Sequence, residues 1–323
     1  MLIKAQKPII KHIIDFLEYC EIEKGLSPIT VKNYAQFLSR FTKWLKDLHL
    51  DNLTPQDLTE EHIWQYRLFL SRFISPATRK GLSKDTQNYY FIALRALFGY
   101  FIDKDIKSLP PNKIKLPKVS KSKKIKFLTL EQLQKLLAAP DISNTQGLRD
   151  RAILETLFST GLRVAELVSL NINQLNLKDA GKNAGIEVAI TGKGNVTRVV
   201  FFSQRCCEWI IKYIEYRNDN DTSLFAAIGK NKKNPESLRL STRSIERIVQ
   251  KYARQTGLPL LATPHTLRHT YATDLLNQGV DLRMIQEFLG HKNIAATQIY
   301  THVTNKNLRD IHRKFHSGNK MDK

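Results

Sequence analysis

IEVAITGKGNVTRVVFF, residues 186–202, is where the hydrophobic pattern of this chain changes period. On either side apolar residues recur every three to four positions, as on a helix. Within it the period is two, over IEVAIT (186–191) and TRVVFF (197–202). The intervening GKGN (192–195) brings Gly192 and Gly194 to a point where a tight turn needs positive φ. Two alternating runs around such a turn predict a β-hairpin. A lone hairpin among helical segments makes the fold mainly α with a small β-sheet, an α+β chain.

Upstream, residues 9–103 read as helix throughout. Ile10, Ile13, Ile14 and Leu17 recur at helical spacing in an amphipathic first helix. Ser27-Pro28 opens a second, with Val31, Tyr34, Phe37, Leu38, Phe41, Trp44 and Leu45 as its apolar stripe. Thr59, with Glu60 and Glu61, starts a third carrying Ile63, Tyr66, Leu70 and Phe73. Ser83 caps a fourth, with Tyr90, Leu94, Leu97 and Phe101 along one side. Four or five helices without strands form a small bundle. SLPPNKIKLPKVSKSKKIK (108–126) then breaks all periodicity with three prolines, and five lysines stand in 118–126. It reads as an extended linker, and Lys118, Lys121, Lys123, Lys124 and Lys126 as a strap for a phosphate backbone. Helices resume at Leu130; residues 147–159 form an amphipathic one that Gly161 can end. After the hairpin, a Lys-rich stretch (229–239) leads into helices that run to about residue 315. The expected division is therefore a helical domain over 1–107, a linker over 108–126, a second domain over 127–316 and a flexible tail over 317–323.

At 323 residues the chain has room for two cores. Fifty-one Lys plus Arg against thirty Asp plus Glu give a net charge of +21. Such an excess repels itself on folding and points to a polyanionic partner, nucleic acid before all others. The basic residues are spread along the chain and no apolar run spans a bilayer, so a membrane partner is not expected. The N-terminal MLIKAQKPIIKHIIDFLEYC has no uninterrupted apolar core or cleavage site, so it is not read as a targeting segment. Three cysteines, Cys20, Cys206 and Cys207, make neither a disulfide framework nor a CxxC zinc pair. The expected location is a reducing, prokaryotic cytoplasm.

No P-loop, GxSxG elbow or HExxH motif occurs. HTLRHT (265–270) sets His265 and His269 four apart, a metal-ligand spacing, but no third ligand of matching pattern accompanies them. Pro264 suits a helix start, where exposed backbone N–H groups favour an anion. His265 and Arg268, three apart, project from that first turn as a clamp for phosphate oxygens. Alone, the motif is equally a surface arginine and a capped histidine. In STGLRVAEL (159–167), Arg163 follows a glycine turn, with Glu166 three residues on to hold it or a neighbouring donor. Lys193 stands at the hairpin tip, where it can give a proton to a leaving oxygen. DLRMIQEFLG (281–290) is a helix ended by Gly290, which puts His291 in the turn before the helix bearing Tyr300. Two arginines, two histidines, a lysine and a tyrosine suit phosphoryl transfer without metal or other cofactor. The cations offset the charge of the phosphorane-like state and favour the tyrosine phenolate as nucleophile.

The assembly GLRVAEL, GKG, HTLRHTYATDLLNQGVDLRMIQEFLGH and TQIYTH resembles the tyrosine recombinase (phage integrase) family, specifically its Xer branch. The family pattern of Arg, Lys, His-x-x-Arg, His/Trp and Tyr falls on Arg163, Lys193, His265, Arg268, His291 and Tyr300, with no position departing from it. EKGLSPITVKNYAQFLSRFTKWL is similar to the usual opening of the family's SAM-like core-binding domain. The resemblance implies that this domain and a DNA breaking-rejoining catalytic domain close on DNA as a C-shaped clamp. It implies that Tyr300 forms a 3′-phosphotyrosyl link and that Arg163 and Arg268 hold the non-bridging oxygens. His265 and His291 would be donors, and Lys193 the general acid for the 5′ oxygen. Exchange would pass through a Holliday junction in a homotetramer on two double-stranded DNA sites. The tail segment NKNLRDIHRKF (305–315), with Leu308, Ile311 and Phe315 on one stripe, would dock in trans. The expected role is resolution of chromosome dimers at a dif-like or inverted-repeat core site, with a septal DNA translocase a partner the resemblance allows. The alternatives are a mobile-element integrase and a type IB topoisomerase-like enzyme.

Overall fold

The structure, a computed structural model, describes residues 7–76, 78–116, 126–179, 185–192, 197–228, 237–258 and 262–290. Two compact units divide the chain, Met1–Lys123 and Lys124–Lys323.

The first unit holds helices α1 (Ile9–Ile22), α2 (Pro28–Asp47), α3 (Glu60–Arg72) and α4 (Lys84–Asp103). Proline at the first turn opens α2. The Ser83 hydroxyl accepts the Thr86 N–H at the start of α4. At α3 the reciprocal cap pairs Thr59 with His62, whose Nδ1 accepts the Thr59 N–H at 3.1 Å; neither Glu60 nor Glu61 plays that part. Aromatic rings fill the core. Phe41 meets Tyr66 edge-on at 5.0 Å, and Phe98 meets Phe101 at 5.1 Å. Each such fully buried side chain contributes roughly 1.5–3 kcal/mol.

Two expectations need correction here. The buried face of α1 is Ile9, His12, Phe16, Tyr19 and Cys20, while Ile14 is 66% exposed. Ile10, Ile13 and Leu17 of the expected stripe do pack against the core at the edge of that face, and only Ile14 is turned out, because aromatic and polar side chains hold its centre. Residues 108–116, read as extended linker, are docked on this unit. Ile114 is fully buried, Arg67 donates to the Lys115 carbonyl, and Lys113 pairs with Glu60 at 2.9 Å. Proline removed the periodicity there without removing the burial of single apolar side chains.

The second unit contains α5 (Leu130–Ala138), α6 (Thr145–Thr160), α7 (Val164–Ser169), strands β1 (Gly185–Thr191) and β2 (Thr197–Ser203), then α8 (Gln204–Glu215), α9 (Thr242–Gln255), α10 (Pro264–Asn277) and α11 (Leu282–Leu289). The strands pair antiparallel from Gly185 opposite Ser203 to Thr191 opposite Thr197. Ile186, Val188, Ile190, Val200 and Phe202 face the core. The hairpin turn, 193–196, lies outside the described residues.

Helix α8 was not anticipated. Ser203 caps it, and Cys206, Cys207, Ile210 and Tyr213 are its buried stripe. All three cysteines are buried free thiols, and burial pushes Cys20 and Cys207 up to about 11.

Helix α6 is the axis of this unit, packed by α8, α10 and β2. It is not amphipathic as expected but buried nearly all round, including Arg149, Asp150, Arg151 and Glu155. These charges are neutralised inside the fold. Arg149 bonds Asp150 through Nε and Nη2, and Tyr252 donates its hydroxyl to the same carboxylate. Among the described residues no helix is long and apolar enough to cross a membrane.

Candidate active site

Helix α6 stops at Gly161, in the left-handed region at φ 59°. The ring of Tyr271 lies against it, so an added Cβ would come within 2.5 Å of Cδ1. Only glycine fits both the backbone and that contact. Leu162 is buried, and Arg163 follows as the N-cap of α7. Glu166, 5% exposed, accepts the Arg163 backbone N–H at 2.8 Å and Arg163 Nη1 at 2.8 Å. From the other side Arg198 of β2 engages both carboxylate oxygens, Nη1 at 3.0 Å and Nη2 at 2.8 Å. Burial alone would raise the Glu166 pKa. The Arg198 hydrogen bonds, the Arg163 N–H and the Arg198 charge outweigh it and hold the carboxyl at about 2.

Helix α11 ends at Gly290, also left-handed, at φ 62°. The last carbonyls of a helix lack intrahelical donors and form the negative end of its dipole. Here three successive ones each accept from a different arginine. Arg198 Nε reaches Phe288 O at 3.1 Å, Arg268 Nη2 reaches Leu289 O at 2.5 Å, and Arg163 Nη2 reaches Gly290 O at 2.9 Å. Arg268 Nη1 also donates to Gly161 O at 2.6 Å. A Cβ at Gly290 would stand 2.8 Å from Arg198 Cδ, so this turn too admits only glycine.

Thr263 caps α10, accepting the Thr266 N–H at 3.2 Å. Arg268 points inward and is 3% exposed, whereas His265 is exposed and packs edge-on against His269 at 4.1 Å. Partial burial of the His265 ring lowers its pKa first, and the charges of Arg268 and Arg163 lower it further. Both effects favour the neutral imidazole, which has one ring N–H to donate.

The structure brings Arg163, Glu166 and Arg268 into one cluster, with His265 within reach of its charge. Lys193, His291 and Tyr300 lie outside the described residues, as do Lys118, Lys121, Lys123 and Lys124. Lys126 is described and exposed. The residue that sequence reasoning missed is Arg198. Its signal was present: strand alternation puts it on the same face as Val200 and Phe202, and an arginine on a core face needs a partner.

Residues 126–307 match the model of the phage integrase family, and residues 13–105 that of the phage integrase N-terminal SAM-like domain. Tyrosine recombinase XerD of Listeria innocua serovar 6a is 35% identical over 315 residues, spanning 94% of this chain and 98% of the relative. Tyrosine recombinase XerC of Thermodesulfovibrio yellowstonii is 34% identical over 320 residues, spanning 96% and 98%. Among solved structures, the XerH site-specific recombinase bound to palindromic difH substrate, in a post-cleavage complex, superposes with a TM-score of 0.69 at 25% identity. That match covers 92% of this chain and 83% of XerH. The chain belongs to the phage integrase family of tyrosine recombinases, DNA cleaving and rejoining enzymes, and is of the Xer type.

Proposed function

We propose that this protein is a site-specific recombinase in which Tyr300 is the nucleophile. Tyr300 Oη attacks the scissile phosphorus, forming a 3′-phosphotyrosyl bond. The P–O5′ bond breaks, and the 5′ oxygen takes a proton from Lys193. Arg163 and Arg268 neutralise the non-bridging oxygens, and His265 and His291 donate hydrogen bonds to them. No metal is required, because the guanidinium groups supply the positive charge. A phenolate is also a good leaving group, so attack by a 5′-hydroxyl reverses the step and exchanges strands.

The observation that carries this reading is the arginine cluster at the end of α11. It joins three segments of the sequence pattern around the turn that leads into His291, and it leaves the Arg163 side chain 35% exposed. In this reading residues 1–107 bind double-stranded DNA and 127–316 carry catalysis. Lysines 118, 121, 123, 124 and 126 of the intervening 108–126 lie along the phosphate backbone. Four protomers act on two inverted-repeat sites, each passing its segment 305–315 to a neighbour. A groove of about 730 Å³ lined by Phe201, Tyr271, Leu275 and Phe288 offers an apolar seat for Leu308, Ile311 and Phe315. Identity to XerD and XerC across nearly the whole chain, with the fold shared with XerH bound to difH substrate, supports a dif-like target site; chromosome-dimer resolution is the role proposed for it, with a septal translocase as the proposed activator.

The test is a nicked suicide duplex bearing the inverted repeat found beside the gene. The wild type forms an SDS-resistant adduct in EDTA, and Tyr300→Phe binds the duplex without forming one. An adduct from the Phe variant defeats the nucleophile assignment. A strict divalent-ion requirement defeats the metal-free mechanism. An inverted repeat found only at the ends of a mobile element overturns the chromosomal role.

A further inference from the structure

Arg198, buried like Arg268, is the arginine of the cluster that engages both oxygens of Glu166. Its side chain is only 9% exposed, and it leaves the sheet towards the end of α11. Its two terminal nitrogens form a fork on Glu166, its Nε takes the Phe288 carbonyl, and its Cδ packs on Gly290. Arg163 touches the same two partners, Glu166 and the α11 end, but its side chain is 35% exposed. One arginine of the pair is thus spent inside the protein and the other is open to a ligand.

Charge explains why both are present. Glu166 is buried and ionised, and beside Arg163 alone it would cancel that charge and turn the guanidinium towards itself. With Arg198 added, the group of Arg163, Arg198 and Glu166 carries a net single positive charge. Arg198 absorbs the carboxylate, and the charge of Arg163 remains for an incoming phosphate. The Phe288 contact ties this arrangement to the helix end that precedes His291 in the chain.

We propose that Arg198 is a positioning residue for DNA cleavage: it holds Glu166 and the carboxyl end of α11 together so that Arg163 is presented, charged and aligned, to the scissile phosphate. This rests on the reading of the arginine cluster as the active site. Arg198 itself does not touch DNA. A lysine there keeps the charge but cannot make the fork and the third bond at once.

The experiment is single-turnover cleavage of the nicked suicide duplex by Arg198→Gln, Arg198→Lys and Glu166→Gln/Arg198→Gln, with duplex affinity and thermal melts measured alongside. Arg198→Gln is expected to cleave about 100-fold more slowly with duplex affinity unchanged, the cost of about an ångström of misplacement. Arg198→Lys should lose about 10-fold. The double variant should lose less relative to Glu166→Gln than Arg198→Gln loses relative to the wild type, because only the Phe288 bond is left for Arg198 to supply. A 5′-bridging phosphorothiolate, whose thiolate leaves without an acid, should not restore the Arg198→Gln rate. Restoration would assign the defect to the hairpin-tip lysine and overturn the proposal. So would wild-type rates in Arg198→Lys or Arg198→Gln, a loss that merely follows duplex affinity, or failure of both single variants to fold. A wild-type protein that forms no adduct breaks the active-site reading instead, and this proposal with it.

Discussion

Two buried carboxylates in the second unit, Glu166 and Glu155, each sit between two arginines, and they serve different ends. Glu155 takes Arg151 Nε at 2.9 Å and Arg205 Nε at 3.0 Å on a single oxygen. Arg151 then donates to the Leu137 carbonyl of α5 and covers the Trp209 ring of α8 at 4.6 Å. Everything that Arg151 touches is helix packing, while Arg205 lies at the surface. Glu166 uses both oxygens, and its arginines reach on to helix-end carbonyls beside a turn. An Arg–Glu–Arg bridge is therefore no site in itself. What distinguishes the two is where the remaining donors go: at Glu155 those of Arg151 go into packed helices while Arg205 faces solvent, and at Glu166 both arginines converge on the carbonyl end of α11.

That contrast can be broken by mutation. Glu155→Ala leaves Arg151 buried without its carboxylate and should cost about 3–5 kcal/mol of stability in denaturant titrations. Cleavage per folded molecule should stay within about twofold of the wild type. Glu166→Gln should invert this pattern. Cleavage falls about 100-fold, equivalent to about 2.7 kcal/mol of barrier, while stability drops by about 1–3 kcal/mol for the weakened hydrogen bonds.

Acid should test Glu166 in another way. The folded Glu166 carboxyl is held at about 2, below its ordinary 4.5. Its contribution to stability is complete above that ordinary value and is lost as pH falls from about 4.5 to about 2. Melts of Glu166→Gln should therefore lose part of the wild type's pH dependence in that window. The smallest effect belongs to Arg205→Ala. With its side chain 56% exposed, it should change stability by at most about 1 kcal/mol in the same titrations and leave cleavage unchanged.

Local signals are legible in the sequence. The period-two runs gave the hairpin strands, Ser83 and Pro28 gave helix starts, and Gly161 and Gly290 gave helix ends with the required φ. HTLRHT and STGLRVAEL led to Arg268, Arg163 and Glu166. What was lost depends on partners remote in sequence. Arg198 meets Glu166 and Phe288 only after folding. Helix α6 reads as amphipathic because its charges find their partners inside the fold. The stripe of helix α8 is built on Cys206 and Cys207, which pack as small apolar side chains and leave little aliphatic period in the sequence. Ile114 showed no period because it is a single anchor in irregular chain.

The carbonyl end of α11 has a consequence in time. Its bonds reach back 127 residues to Arg163 and 90 to Arg198, and Arg268 reaches 107 back to Gly161. Closing contacts so distant in sequence costs loop entropy that the packing of the rest of the core must offset. A nascent or half-folded chain has the tyrosine and the basic residues but not the assembled cluster. The assembled arginine cluster is thus withheld from every incomplete form of the protein and arrives with the finished fold.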